Sequence, residues 1–179
     1  MNEKKIIDLG CGIKKTPGAI GVDLNNSIKP DVMHDLNKFP YPFKDDYSDI
    51  VVLDNTLEHL NEPMRVLEEV YRILKDGGEC IISVPYFRSK YAFCDPTHVK
   101  FFTFESFRYF DPEDIIFKNF RYTKAKFKIK KIEINKNQKN NVLMQMLIKF
   151  ASKHKYFYET YLSNFFPFNE LTFTLIKIK

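Results

Sequence analysis

The segment from Ile50 to Val84 constrains the fold of this 179-residue chain more than any other. Two short apolar runs, Ile50 to Leu53 and Ile81 to Val84, flank a stretch in which Met64, Leu67, Val70, Tyr71 and Leu74 recur at three- and four-residue steps. Continuous apolar runs are the pattern of strands buried on both faces, and the recurrence is that of a helix with one apolar stripe. Asn61-Glu62-Pro63 predicts the helix start, and Gly77-Gly78 after Lys75-Asp76 predicts its stop. Strand, helix and strand in this order make a crossover between parallel neighbours, right-handed almost without exception. The chain is therefore expected to build an open, mostly parallel α/β sheet.

Further apolar runs supply its other strands: Ile6 to Leu9, Ala19 to Val22 and Val32-Met33. Phe127 to Ile134 and Leu171 to Ile178 read as two final strands, with Lys126, Lys128 and Lys130 alternating against Phe127 and Ile129. Lysine in such a strand guards an exposed edge against aggregation. At 44% hydrophobic, the chain holds enough apolar surface for a single domain, residues 1–179.

Two segments interrupt the pattern. Residues 86–110 are aromatic and polar, with a short helix expected near Phe104 to Tyr109. A stretch this long after a strand's carboxyl end reads as a lid or pocket segment, with Tyr86, Phe87, Tyr91, Phe93, Phe101 and Phe102 as walls or core. Residues 140–168 form an insertion between the last two strands. Leu143, Met146, Leu147 and Phe150, then Phe157, Tyr158, Tyr161, Leu162, Phe165 and Phe166, give it two amphipathic helical stripes.

The first strand ends in Asp8-Leu9-Gly10-Cys11-Gly12 and the second in Gly21-Val22-Asp23. Glycines at such a turn let the backbone approach a ligand, and an acid at the tip of the second strand can accept both hydroxyls of a ribose. These residues, with His34-Asp35-Leu36, Tyr47-Ser48-Asp49-Ile50-Val51, Leu57-Glu58-His59-Leu60 and Lys75-Asp76-Gly77-Gly78, resemble in order the motifs of the class I S-adenosylmethionine-dependent methyltransferases of the type 11 group. The resemblance spans residues 5 to 85. It implies a Rossmann-like, mostly parallel seven-stranded sheet with an antiparallel last strand, and S-adenosylmethionine as cofactor with S-adenosylhomocysteine as product. By the same resemblance Gly10, Cys11 and Gly12 approach the amino-acid end of the cofactor, and Asp8 holds the turn. Asp23, with Leu24 beside it, meets the ribose, Asp35 and Leu36 meet the adenine, and Asp54, Asn55 and Thr56 face the methyl group. Each acid also fits a plain turn or cap.

The chain departs from the family pattern in one respect. Lys14 stands where a third glycine is usual, and only Ile13 to Gly18, with Pro17, separates the first two strands. No helix of three turns fits there, nor in the next crossover, Asn25 to Pro30. One sheet face over the first three strands thus lacks helices, and either the 140–168 insertion or a second copy of the chain is expected to cover it.

Methyl transfer is an in-line displacement that depends on holding the nucleophile about 3 to 3.5 Å from the methyl carbon, and an alcohol or phenol also needs a base. His98, in Asp95-Pro96-Thr97-His98 with Asp95 to orient it, and His59 are the candidate catalytic residues. His34 and His154 read as structural or solvated. No metal site is expected: Asp54 with Asp95 is too thin a carboxylate cluster, and Cys11, Cys80 and Cys94 have no ligand spacing. Asp54-Asn55-Thr56-Leu57 matches neither the tetrad for planar amino nitrogens nor a cytosine-attacking Pro-Cys, so a small-molecule acceptor, a sugar or a lipid-linked intermediate, is expected. A net charge of +5 spread over scattered lysines argues against nucleic acid. Lys149, Lys153 and Lys155 beside the insertion's aromatics raise a membrane surface as partner. The rival readings are a cofactor-binding module without turnover, a nucleic-acid or protein methyltransferase, and a dinucleotide dehydrogenase, the last disfavoured by the missing third glycine. No apolar run reaches ~18 residues and Met1 to Lys5 shows no signal-peptide pattern, so a cytoplasmic location is expected.

Overall fold

The computed structural model describes residues 4–136 and 141–179; Met1 to Glu3 and the insertion's first residue, Asn140, lie outside them. Seven strands form one sheet: β1 (Ile6–Leu9), β2 (Ala19–Asp23), β3 (Val32–Met33), β4 (Ser48–Asp54), β5 (Leu74–Pro85), β6 (Phe127–Ile134) and β7 (Glu170–Lys177). Their order is β3-β2-β1-β4-β5-β7-β6. The first five pair in parallel, and β7 enters antiparallel to both β5 and β6. The lysine-rich β6 is one edge, as its alternation predicts, and the two-residue β3 is the other.

Helix α1 (Pro63–Ile73) makes the β4–β5 crossover. Proline fits its first position, where no intrahelical N–H bond is lost. Its stripe, Val66, Leu67, Val70 and Ile73, is fully buried with Ile7, Leu9, Val51, Leu53, Cys80 and Ile82 of the sheet. Burial of each such side chain contributes ~1.5 to 3 kcal/mol. The helix stops before Gly77-Gly78: Leu74 already pairs with Ser48, and the register then shifts so that Glu79 pairs with Ile50. The glycines form a bulge inside β5, with Gly77 at φ +73, in place of the expected C-cap.

Arg72 on α1 is a hub. Its guanidinium donates to both Glu69 carboxylate oxygens (3.0 and 2.7 Å), to Asp45 Oδ1 (2.8 Å) and to the Phe43 and Tyr41 carbonyls (2.7 and 3.1 Å). Burial by itself would raise the Glu69 pKa, but the Arg72 contact and the Tyr41 N–H outweigh it and hold the carboxyl below its usual value. The stabilisation is then present above the unfolded pKa of about 4.3 and is lost as pH falls through the lower folded value. Arg72→Ala is expected to lower stability by about 2 kcal/mol in urea denaturation at neutral pH, with a smaller difference from wild type in acid.

After β5 the chain makes a single parallel bridge, Tyr86 to Phe102. The helix expected over Phe104 to Tyr109 is only a 3-10 turn, Arg108–Phe110, and a short α2 (Ile115–Phe120) that the sequence did not disclose follows it. Tyr86 and Phe102 are core residues, whereas Phe93 and Phe101 stack on each other (4.8 Å) and are exposed.

The insertion holds α3 (Val142–Lys153), α4 (Lys155–Phe157) and a π-helical turn, Tyr158–Leu162. Its α3 packs against β6, with Met144, Leu147, Ile148 and Ala151 turned to the core, while Tyr158 packs on Tyr86, Phe104 and Phe168. Tyr158 stacks on Phe168 at 4.4 Å and donates to the Phe166 carbonyl. The insertion therefore does not cover the first three strands, which corrects the first of the two alternatives expected for that face. Leu143, Met146, Phe150, Phe157 and Tyr161 of the expected stripes face outward. Nearly every residue from Val142 to Phe150 is apolar, so periodicity could not choose the buried side.

The face opposite α1 carries Ile6, Ile50 and Ile176 in one cross-sheet row, with Asp8, Val52, Ile81 and Thr174 in the next. What lies over it is polar chain with aliphatic stems. The Thr16 N–H donates to Asp8 Oδ2 (2.7 Å), which draws the 13–18 turn across β1. The Lys15 stem crosses Gly21 to reach Asp31 (2.7 Å). Lys130 spans β7 to reach Glu79 on β5 (2.7 Å). Lysine stems spread over apolar surface while keeping the ammonium in water, and they leave these isoleucines half-buried.

Candidate active site

The parallel strands end together at one edge, and the loops leaving β1, β2, β3 and β4 enclose a cleft of about 290 Å³ there. Gly10, Asp23, Leu24, Asp35, Leu36, Asn55 and Thr56 line it, joined by His34, Asn37, His59 and Leu60. Gly10 has φ +74, and a Cβ on it would sit 2.5 Å from Thr56 Oγ1 and closer still to Thr56 Cγ2. The cleft floor is thus open only because residue 10 has no side chain. Asp23 is fixed by two backbone donors, Gly12 N to Oδ2 (3.0 Å) and Asn25 N to Oδ1 (2.8 Å). Each of its oxygens keeps a lone pair for a ligand hydroxyl. Asp35 is held in the same manner by the Asn37 N–H (3.0 Å). Both acids are turn residues and cleft residues at once.

Other expected cofactor residues stand outside the lining. Asp8 is buried beneath the turn, where it holds Thr16. Cys11 is buried, and its thiol pKa is raised by that burial and then by Asp8 and Asp23. Gly12 supplies the N–H that fixes Asp23, and Asp54 ends β4 exposed. His34, read as structural, faces the cleft with Nε2 2.9 Å from the Lys38 carbonyl.

A second pocket, about 400 Å³, adjoins the cleft and shares Asn55 and His59 with it. Glu58, Tyr91, Asp95, His98, Asn169 and Glu170 complete most of its wall. Asn55 adopts φ +50 as β4 ends, and its N–H donates to the Ser83 carbonyl (2.9 Å), so the chain turns sharply into the 3-10 turn Leu57–His59. That turn drives Glu58 inward, to 1% exposure, with neither carboxylate oxygen hydrogen-bonded among the described residues. Burial, with Asp54, Glu170 and Asp95 adding like charge, pushes its pKa up to about 7. His98 Nε2 lies 4.0 Å from Glu58 Oε1, and the His59 and His98 rings meet edge to face at 4.6 Å. Burial and the neighbouring His98 lower the His59 pKa.

The orientation of the histidines differs from the expected one. Asp95 accepts from Thr97, whose Oγ1 lies 2.9 Å from His59 Nδ1, while His98 Nδ1 lies 3.2 Å from the Ala92 carbonyl. Asp95 therefore serves His59 through a hydroxyl, and its link to His98 is the backbone one, the His98 N–H donating to the Asp95 carbonyl (3.2 Å), with the imidazole turned to Ala92 instead. Glu58 was missed in sequence because Leu-Glu-His reads as a solvated acid at a helix start. Its only signal was its position between the apolar Leu57 and Leu60.

Residues 7–82 match a protein-family model described as a methyltransferase domain, the type 11 group. Over that stretch the chain is similar to the methyltransferase domains of that group. No curated protein matches it significantly. Among solved structures, a SAM-dependent methyltransferase from Archaeoglobus fulgidus is 20% identical, with TM-score 0.59 over 97% of this chain and 86% of that one. Phosphoethanolamine N-methyltransferase 2 from Haemonchus contortus, in complex with S-adenosyl-L-methionine, is 16% identical with TM-score 0.60, over 99% of this chain and 49% of that one. The [4+2]-cyclase SpnF is 16% identical with TM-score 0.57, over 99% and 75%. At these identities the likeness concerns the fold, and a cyclase among the neighbours shows that one fold carries different reactions. The methyltransferase uses S-adenosylmethionine, and the residues fit it: a floor without Cβ at Gly10, an anchored acid at Asp23 and a second at Asp35. Among the described residues no helix is long and apolar enough to cross a membrane.

Proposed function

We propose that this methyltransferase methylates a hydroxyl of a small, polyhydroxylated acceptor of the sugar class. The observation that carries the reading is the continuity of the two pockets, which meet at Asn55 and His59. When bound, S-adenosylmethionine supplies a methyl on a sulfonium, which an in-line nucleophile takes while the sulfur keeps the bonding pair. Asp23 and Asp35 hold the adenosine end, and Gly10 with Thr56 lets the remainder lie against the backbone. The acceptor sits among Glu58, Asp95, Asn169 and Glu170, carboxylates and an amide that suit hydroxyls and repel phosphates. Its reacting oxygen faces the His59 and His98 ring nitrogens.

Thermal shift tests this reading. S-adenosylmethionine at a hundredfold excess over Kd is expected to stabilise the protein by about 2.7 kcal/mol, and S-adenosylhomocysteine to act similarly. Stabilisation by NAD alone overturns it. Turnover on a panel of sugars and their nucleotide-free glycosides is the companion assay; tight cofactor binding without turnover on any acceptor favours the binding module. Asp23→Ala is expected to weaken cofactor binding about tenfold or more in isothermal titration, because both a ribose acceptor and the anchor of the Gly12 turn are lost.

One observation favours a lipid-linked form of this acceptor. Phe150, Phe157 and Tyr161 make a continuous outward strip (ring centroids 6.1 and 5.1 Å), extended by Leu143 and Met146 and bordered by Lys149 and Lys153. Apolar side chains rimmed by lysines match the interface of an anionic bilayer. Vesicles containing phosphatidylglycerol are expected to co-sediment the protein at low salt, and a triple serine variant of Leu143, Phe150 and Phe157 to stay in the supernatant. Equal binding of both proteins removes the lipid-linked form.

A further inference from the structure

We propose that Glu58, His59 and His98 bind a divalent first-row transition-metal cation, with Zn²⁺ the best match, at the inner wall of the acceptor pocket. The inference rests on the reading that this pocket receives the acceptor hydroxyl. One donor atom from each of the three residues lies within 4.8 Å of the others. Glu58 Oε1 and His98 Nε2, 4.0 Å apart, are too distant to hydrogen-bond, and a side-chain shift of about half an ångström brings them to the roughly 3.3 to 3.6 Å that separates two ligands of a tetrahedral ion at ~2.0 to 2.2 Å.

Three features point to a cation there. Glu58 is buried at 1% exposure, and neither carboxylate oxygen has a hydrogen-bond partner among the described residues, a costly state for a carboxylate unless it is paired. Both imidazoles, secondly, spend one ring nitrogen on an outer partner. Thr97 Oγ1 donates to Asp95 Oδ1 (2.7 Å), so toward His59 Nδ1 it accepts; His98 Nδ1 faces the Ala92 carbonyl, which only accepts. Nδ1 therefore carries the proton in each ring, and each Nε2 keeps its lone pair. Outer partners of this kind orient metal-binding histidines and fix their tautomer. Thirdly, the surroundings hold negative charge in excess: Asp54, Asp95 and Glu170 all act on Glu58, and among the described residues no lysine or arginine lines the pocket.

Two imidazoles and one carboxylate select a borderline cation such as Zn²⁺ over Mg²⁺ or Ca²⁺, which prefer all-oxygen sets. Three protein ligands leave at least one position open toward the pocket. An acceptor hydroxyl bound there has its O–H bond polarised by the cation. As the oxygen's electron pair forms the new bond to the methyl carbon, the carbon–sulfur bond breaks with its pair going to sulfur, and the O–H bond breaks with its proton passing to solvent water.

The test titrates the full-length, chelator-treated protein with Co²⁺, then displaces it with Zn²⁺, reading visible d–d absorption and metal content. One ion per chain is expected, with intense low-coordinate Co²⁺ bands that Zn²⁺ removes. Glu58→Gln, which keeps shape and loses the anionic ligand, and His98→Ala are each expected to weaken binding by about tenfold or more. Thr97→Val is expected to weaken it by about 10- to 100-fold through the loss of the outer partner. Circular dichroism reports folding, and if His98→Ala does not fold, Glu58→Gln decides. The proposal is overturned if wild type gives no d–d bands, or if Glu58→Gln binds Co²⁺ as tightly as wild type. Asp23→Ala keeps the two questions apart. Lost S-adenosylmethionine binding with retained Co²⁺ binding leaves the metal site standing, and normal S-adenosylmethionine binding in a chain that takes no Co²⁺ removes the metal site alone.

Discussion

Gly10→Ala is expected to remove S-adenosylmethionine binding in isothermal titration and to destabilise the fold by about 2 to 4 kcal/mol. Two separate penalties add. Gly10 sits at φ +74, where a side chain is strained, and its N–H must keep that geometry to donate to the Val22 carbonyl (2.8 Å). The new Cβ also falls on the Thr56 side chain, which cannot retreat because it lies under the turn that ends β4. A double-mutant cycle separates the penalties. Adding Thr56→Ala is expected to recover the packing part and not the backbone part, so Gly10→Ala/Thr56→Ala regains stability while still binding cofactor poorly. Wild-type affinity in Gly10→Ala would mean that the cofactor does not use this floor.

Phe173→Ala is expected to cost 3–5 kcal/mol, read as a lower urea midpoint and a melting temperature lower by about 10 °C. Phe173 is fully buried in β7, opposite Ile82 of β5 and Ile132 of β6, with the Phe107 ring edge-on at 4.6 Å. Removing it opens a cavity at the junction of three strands and the 86–110 segment. The effect reaches function because β7 begins at Glu170, and Asn169 and Glu170 line the acceptor pocket. Loss of turnover is therefore expected at temperatures below the melting transition, with cofactor affinity retained, since the cofactor cleft lies on the other side of β4. A variant as stable as wild type would show that β7 is held by its ladder alone.

The strands and α1 were legible because their signals are local. A buried parallel strand is a short apolar run, and a crossover helix with Pro63 at its start shows its stripe within eleven residues. The adenosine-binding acids were legible for a related reason: Asp23 and Asp35 follow directly from strand ends, so the topology that aligns the strands also aligns the acids. The insertion was not legible in this way. Apolar residues surround α3, and only the position of β6 decides that Ala151 is buried while Phe150, its neighbour, looks outward.

By itself the sequence determined the order of strands and of the crossover helix α1, the absence of α-helices from the first two crossovers, where the second holds only a 3-10 turn, Asn26–Ile28, and the side-chain-free turn at Gly10. Each follows from chain length or local stereochemistry. Nine residues between β1 and β2, and eight between β2 and β3, cannot hold a turn and three helical turns of about 11 residues, and a positive φ calls for glycine. Only the tertiary structure decided what lies over the helix-free face, and it chose the 13–18 turn and lysine stems in place of the insertion. Only the tertiary structure, too, brought His98 to Glu58 and His59 from forty residues away. Contacts between distant segments depend on how the 86–110 segment folds back across the strand ends, and no local pattern encodes that path.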